Sequence, residues 1–187
     1  MKTTMKKLLI VALMLGTITT YSNTMFNASG VIDNENNKVS VSVKDASGTI
    51  IYLSLFKHKV DASKKILDYS LLKNGLYTIE IENQYLIELQ SFEVYDTKVE
   101  FINASKKTIF KPILKQEDSK IFISKVALDS NEMKIDLYYE NELIHTETVS
   151  SDNQIIKRTY QLDKAEKGEY YAVLKCNGRV YTETFTL

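Results

Sequence analysis

The side chains that most often carry catalysis or bind metals are few and widely spaced in this chain. Its two histidines, His58 and His145, show no His-x-x-x-His spacing and have no cysteine near them, so a zinc site would need ligands from distant segments. Neither a Gly-x-Ser-x-Gly elbow nor a glycine-rich phosphate loop occurs in the sequence. The sequence therefore predicts no catalytic residue, no metal site, no cofactor and no enzymatic activity.

Two Gly-x-Tyr triplets stand out, and their chemistry is structural. Gly75 and Gly168 each follow a polar connection and precede an alternating β segment, where a backbone with positive φ enters a strand. Tyr77 and Tyr170 then begin the strands, as in a tyrosine corner, in which the ring is buried and the hydroxyl bonds to backbone upstream. We expect each hydroxyl to bond within its own preceding connection, residues 69–74 and 162–167 respectively.

Composition and charge narrow the class of protein. The 187 residues include 24 Lys and Arg against 24 Asp and Glu, with 44% hydrophobic residues, which indicates a globular chain. No dense basic cluster with interleaved aromatics occurs, so nucleic acid is not an expected partner and the lysines are interpreted as solvated. The lone Cys176 excludes an intramolecular disulfide framework and is expected to be a buried, inert thiol.

The N-terminus has the pattern of an export signal. Lys2, Lys6 and Lys7 precede a short apolar segment, residues 8–16, and small polar residues follow. We place the signal peptide at residues 1–22, with cleavage after Ser22. The apolar segment is too short to span a membrane, and no longer one follows, so the sequence predicts a secreted or periplasmic protein without a membrane span.

From residue 38 onward the chain alternates apolar and polar residues in short segments separated by polar turns. Spacing of about ten residues is typical of a β-sandwich, so the predicted class is all-β. The predicted strands are residues 39–43, 50–56, 65–69, 77–81, 86–94, 109–114, 121–128, 135–139, 143–149, 155–162, 170–176 and 180–187.

An internal repeat organises these strands. Residues 38–94 and 133–187 share a hairpin, a third strand, a polar connection and a final hairpin that Gly-x-Tyr opens. The repeat aligns residues 39–56 with residues 135–149. We therefore predict two tandem immunoglobulin-like β-sandwich modules, residues 23–95 and 96–187, joined near residues 95–97.

The register of the last hairpin has two candidate solutions. Asn177 and Gly178 form the strongest short hairpin signal, and a two-residue type I′ turn would pair Tyr170 with Phe185. That register places Glu183 on the same face as the aromatic rings. A three-residue loop, which turns the neighbouring threonines inward instead, is the alternative.

Two stretches carry a resemblance to a known family. DASGTIIY (residues 45–52) and YSLLKNGLYTIEI (residues 69–81) resemble the C-terminal sorting modules of type IX secretion cargo from Bacteroidota. That resemblance implies small immunoglobulin-like sandwiches that are recognised during secretion. The layout of the whole chain is similar to small secreted proteins of flavobacteria, which implies no activity.

Two classes of function fit these features. The first is a non-catalytic binding or structural protein whose loops or strand edges contact another envelope or extracellular protein. The second is a carbohydrate-binding module that stacks rings on sugar, for which Tyr138, Tyr171 and Tyr181 are the candidates. The absence of tryptophan favours the first class over the second. The resemblance to the sorting modules implies a third class, a cargo domain sorted through type IX secretion.

Overall fold

The computed structural model describes residues 38–56 and 68–187, and they form an almost entirely β structure. The predicted signal peptide, His58 and most of the strand predicted at residues 65–69 lie outside the described residues. Contacts divide the described chain into a first unit that ends at Ile109 and a second unit that begins at Phe110. No described helix is long and apolar enough to cross a membrane.

The described residues of the first unit form one sheet, with antiparallel neighbours in the order β2-β1-β3-β4-β5, and β6 also pairs with β4. Its apolar residues alternate along each strand, so one face carries a cluster that includes Val41, Val43 and Phe92. The strands are β1 (Val39–Asp45), β2 (Ile50–Phe56), β3 (Gly75–Glu82), β4 (Leu86–Tyr95), β5 (Lys98–Phe101) and β6 (Lys107–Phe110).

The second unit is a sandwich of two antiparallel sheets, with orders β10-β9-β12-β13 and β11-β8-β7. Both sheets contribute to one buried core, in which Ile121 and Tyr160 of the smaller sheet join Ile135 and Leu174 of the larger. This division of strands is that of an immunoglobulin-like sandwich. The strands are β7 (Ile113–Glu117), β8 (Lys120–Val126), β9 (Glu132–Tyr139), β10 (Glu142–Ser150), β11 (Ile155–Gln161), β12 (Glu169–Cys176) and β13 (Arg179–Thr186).

The two units repeat the same four-stranded pattern, β2-β1-β3-β4 in the first and β10-β9-β12-β13 in the second. Tyr77 pairs with Phe92 in the first unit, and Tyr170 pairs with Phe185 in the second. From these pairs the register equates Val39 with Met133, slightly upstream of the repeat start expected at Ile135. The equivalence gives each position of β2 a counterpart in β10.

The joint expected near residues 95–97 is the turn of a hairpin. Asp96 and Thr97 have positive φ values of 47° and 64° and connect β4 to β5 within the same sheet. The change of unit comes later, near Pro112, where β6 ends and β7 begins. The segment expected as one strand at residues 109–114 is therefore two strands in different sheets, because proline cannot donate to a sheet ladder.

Candidate binding edge and the residues that fix it

The two tyrosines of the Gly-x-Tyr triplets occupy equivalent positions in the two units. The Tyr77 hydroxyl donates to the backbone oxygen of Lys73 at 2.8 Å, and the Tyr170 hydroxyl donates to that of Glu166 at 2.9 Å. Both acceptors fall in the connections expected from the sequence. Both rings are buried, so the hydroxyls tie the connection to the sheet rather than contact solvent.

Each tyrosine ring stacks on a phenylalanine of the next strand. The Tyr77 and Phe92 ring centroids lie 5.5 Å apart, and those of Tyr170 and Phe185 lie 5.6 Å apart. Burial raises the pKa of Tyr170 above its ordinary value, with nearby Tyr139 adding to the effect. The raised pKa keeps the hydroxyl protonated, as its hydrogen bond to the Glu166 backbone oxygen requires.

The glycine before the second tyrosine has no space for a side chain. Gly168 has φ of +155°, and a Cβ atom there would lie 2.8 Å from the Tyr139 ring and even closer to the Glu140 carboxylate. Gly75 has a similar φ of +158°, but its Cβ would meet only Tyr77, at 3.8 Å or more. Close approach of the backbone therefore requires glycine most strictly in the second unit.

The last hairpin has a two-residue turn, so that register is confirmed and the three-residue alternative is wrong. Cys176 pairs with Arg179, and Asn177 and Gly178 have φ of 53° and 68°, as a type I′ turn requires. Glu183 pairs with Ala172 on the face of the aromatic rings. Its side chain is exposed at the edge strand, which removes the conflict that the sequence suggested.

A polar cluster between β10 and β11 has no counterpart in the sequence interpretation. The Tyr160 hydroxyl and the Arg158 guanidinium both donate to the carboxylate of Glu147. Burial opposes ionisation of Glu147, but the bond from Tyr160 and the charge of Arg158 hold its pKa below the ordinary value. The cluster is fully partnered internally and fixes the edge strand of the larger sheet against β11.

Two further side chains that the sequence singled out, Cys176 and Tyr181, lie at the core of the second unit. Cys176 is buried, and desolvation raises the pKa of its thiol, as expected for an inert cysteine. Tyr181 pairs with Leu174 and packs against the core of the second unit. Among the described residues, no group of three or more His, Cys, Asp or Glu side chains is placed to hold a metal ion.

Tyr138 and Tyr171 do lie on the outer face of the second unit, but they stack on each other. Their ring centroids are 4.5 Å apart and their planes differ by 7°. A carbohydrate platform needs ring faces side by side in one plane, whereas here each ring covers one face of the other. The pair therefore does not form the row of exposed tyrosines that would favour sugar binding.

The most exposed apolar surface of the first unit is β2, which ends its sheet within the described part of the chain. Leu53 and Leu55 are 62% and 71% exposed, and Ile50 and Ile51 are also exposed. Tyr52 and Phe56 alternate with them and pack on the core. The strand contains no charged residue that would discourage pairing with another strand.

The counterpart strand β10 shows how the same position is protected in the second unit. Leu53 and Leu55 pair with Ser42 and Ser40 of β1, and Thr146 and Thr148 pair with Asp136 and Lys134 of β9. Since β1 and β9 are equivalent, Leu53 corresponds to Thr146 and Leu55 corresponds to Thr148. β10 also carries Glu142, His145 and Glu147. Charged side chains are a common device for blocking an edge, and β2 lacks the charges that β10 carries. It also has exposed leucines where β10 has threonines.

A known protein family matches part of the chain. Residues 22–95 match the family described as the secretion system C-terminal sorting domain. The matched segment covers most of the described first unit, including β2, and precedes the second unit. No curated protein matches the chain. The match supports an exported sorting or structural role for this part of the chain.

Solved structures similar to the chain are distant β proteins. They include a biofilm associated protein BSP domain, at 13% identity and a TM-score of 0.30 over 83% of this chain. The chain spans only 26% of that protein's length. A chimeric titin Z1Z2-Z1Z2 tandem matches at 12% identity and a TM-score of 0.26, covering 80% of this chain and 83% of the other. Extracellular domains 3–5 of Drosophila OTK match at 5% identity and a TM-score of 0.22, covering 81% and 86%.

Proposed function

We propose that this chain is an exported, non-catalytic protein that binds another envelope or extracellular protein by adding a strand of that partner to the edge of β2. The observation that carries the proposal is the uncharged edge of β2 with its exposed Leu53 and Leu55. Strand addition obtains affinity from backbone hydrogen bonds and specificity from alternate side chains. The protein that binds is then selected by the chemistry of one short extended segment.

The exposed side chains of β2 define what that segment contains. Its outer face offers Leu53 and Leu55 on alternate residues, so a partner strand with apolar side chains on the same face gains two cross-strand contacts. A charged residue opposite either leucine would lose hydration without gaining an ion pair. The partner segment is therefore extended, apolar at alternate positions and uncharged over about five to seven residues, the usual length of a strand.

The match to a sorting family supports a specific setting for this contact. β2 lies inside the matched residues 22–95, whereas β10 lies outside them. We therefore place the recognition step in secretion or surface assembly, with the first unit as the recognised part. The second unit, whose edge is charged, serves as a companion sandwich that does not pair with the same partner.

A matched pair of variants tests the proposal. The tagged full chain is produced in its native cell, cells are fractionated, and bound proteins are captured by chemical crosslinking. Leu55→Glu places a charge on the edge of β2, and Thr148→Glu places the same charge at the equivalent exposed position of β10. Neither change faces a like charge on the neighbouring strand, since Leu55 pairs with Ser40 and Thr148 pairs with Lys134.

The expected result is one specific adduct in wild type and Thr148→Glu that disappears in Leu55→Glu, while the amount of folded protein is equal in all three. Retention of the adduct in Leu55→Glu would overturn the β2 contact. A chain that is found without protein partners while the purified protein selectively retains a polysaccharide would favour the carbohydrate-binding alternative. Activity on a small substrate would contradict the non-catalytic assignment.

A further inference from the structure

A buried lysine in the second unit is held by a network at the end of β8. The Lys125 side chain is 0% exposed, and its ammonium donates to the Asp129 carboxylate at 2.5 Å and to the backbone oxygens of Val126 and Ser130 at 2.9 Å and 3.3 Å. Asp129 is 4% exposed. The sequence interpretation of the lysines as solvated is therefore wrong at this position.

The same carboxylate also holds a side-chain amide. Oδ1 of Asp129 accepts from Lys125, while Oδ2 accepts from the Asn177 side-chain amide and from the backbone N–H of Phe110 at 3.0 Å. Asn177 lies in the turn between β12 and β13, and Lys125 lies in β8 of the opposite sheet. One buried carboxylate thus brings a primary amine and a primary amide to its two oxygens.

We propose that Lys125 and Asn177 are the reacting pair of an intramolecular isopeptide bond, with Asp129 as the group that transfers the proton. This proposal is independent of strand addition at β2. Lys125, Asp129 and Asn177 all lie in the second unit and take no part in strand addition. An amine that is shielded from water, a carboxylate that can accept its proton and an amide carbon as electrophile are the groups that such a transamidation needs.

The reaction balances with these groups alone. Asp129 takes one proton from the Lys125 ammonium along their hydrogen bond, which leaves a neutral amine whose lone pair is free to attack. The amine nitrogen attacks Cγ of Asn177, and the Asp129 carboxyl group gives its proton to Nδ2. The tetrahedral intermediate then expels Nδ2 as ammonia, and Asp129 takes the second proton from the attacking nitrogen, which becomes the amide nitrogen. A C–N bond forms, a C–N bond breaks, no electrons are transferred, and Asp129 ends as a neutral carboxyl group.

Burial favours this outcome on physical grounds. Removing a charged pair from water is costly, so a buried ion pair contributes less to stability than its short distance suggests. The isopeptide product replaces the ammonium by a neutral amide and leaves Asp129 as a neutral carboxyl group, so both buried charges are removed. Its bond would join the two sheets of the second unit, a covalent restraint for which a chain with one cysteine has no intramolecular disulfide.

The test is peptide mapping of the purified full chain after denaturation and trypsin digestion. We expect a branched peptide that joins the segment containing Lys125 to the segment containing Asn177, with the sum of the two masses reduced by one ammonia. Trypsin will not cleave after Lys125 in that species. Recovery of both segments as separate, unmodified peptides from folded wild-type protein would overturn the proposal.

Two variants separate this reaction from its closest competitor. Asn177 precedes Gly178, and a succinimide at an Asn-Gly pair also loses ammonia, but it needs no lysine. Lys125→Arg keeps the charge and removes the nucleophile, so we expect it to restore the full mass, as we expect of Asp129→Asn. Loss of ammonia that persists in Lys125→Arg would assign the change to the succinimide and overturn the cross-link.

Discussion

Substitution of Tyr170 separates the contribution of its hydroxyl from that of its ring. Tyr170→Phe removes the single hydrogen bond to the Glu166 backbone and should lower the free energy of unfolding by about 0.5 to 1.5 kcal/mol. Tyr170→Ala also removes the ring that stacks on Phe185 and contacts Tyr139, and should cost about 3 to 5 kcal/mol. The ring therefore contributes more than the hydroxyl.

The assay is urea unfolding followed by far-ultraviolet circular dichroism, with the two units fitted as separate transitions. Tyr77→Phe should shift the transition of the first unit by a similar amount, since its hydroxyl makes the equivalent bond to Lys73. Exposed Tyr95 supplies the control, and Tyr95→Phe should leave both transitions unchanged. If Tyr170→Phe lowers the free energy of unfolding as much as Tyr170→Ala, or does not lower it at all, the hydroxyl and the ring do not make the separate contributions described here.

Three further outcomes follow from the second unit. Gly168→Ala places a Cβ atom 2.8 Å from the Tyr139 ring and should destabilise the unit by about 1 to 3 kcal/mol in the same urea assay; a neutral result would contradict that close approach. Burial raises the pKa of Glu147, but the bond from Tyr160 and the charge and bond of Arg158 together outweigh it, so the folded pKa lies below its ordinary value of 4.5. The carboxylate therefore stabilises the fold above that pH, and this contribution is lost as the pH falls through the lower folded value. Glu147→Gln should therefore flatten the decline of melting temperature under acid, and an unchanged pH profile would contradict the assignment. Cys176, buried and with a raised pKa, should react with a maleimide only after unfolding, whereas rapid labelling of native protein would contradict its burial.

Alternation along single strands was sufficient to predict most of the sheet. Val39, Val41 and Val43 alternate with serines, and the structure buries all three valines in β1. The same reasoning located the strands that follow Gly75 and Gly168. It worked because one face of each strand is apolar and the other is polar, so the period of two is visible without knowledge of the partner strand.

The functional features were less visible because they depend on distant pairing. β2 has apolar residues on both faces, so its sequence does not show which face packs on the core and which face leaves Leu53 and Leu55 exposed. In the sequence, Lys125 and Asp129 look like ordinary solvated charges. Their burial depends on the fold of the β8–β9 connection and on the contact of Asp129 with Asn177, which is distant in the sequence. The unit boundary was also predicted too early in the chain. The turn at residues 96–97 has no proline or glycine, so the sequence did not mark it as a hairpin turn within one sheet.

The most direct test of the account is photo-crosslinking from the edge of β2 in the producing cell. A photo-crosslinking amino acid is placed at position 55, and the same amino acid is placed at position 148 as the matched exposed position of β10. The account predicts a single discrete protein adduct from position 55, suppressed by an added charge at Leu53, and none from position 148. Absence of an adduct at position 55, or the same adduct from both positions, would contradict strand addition at β2.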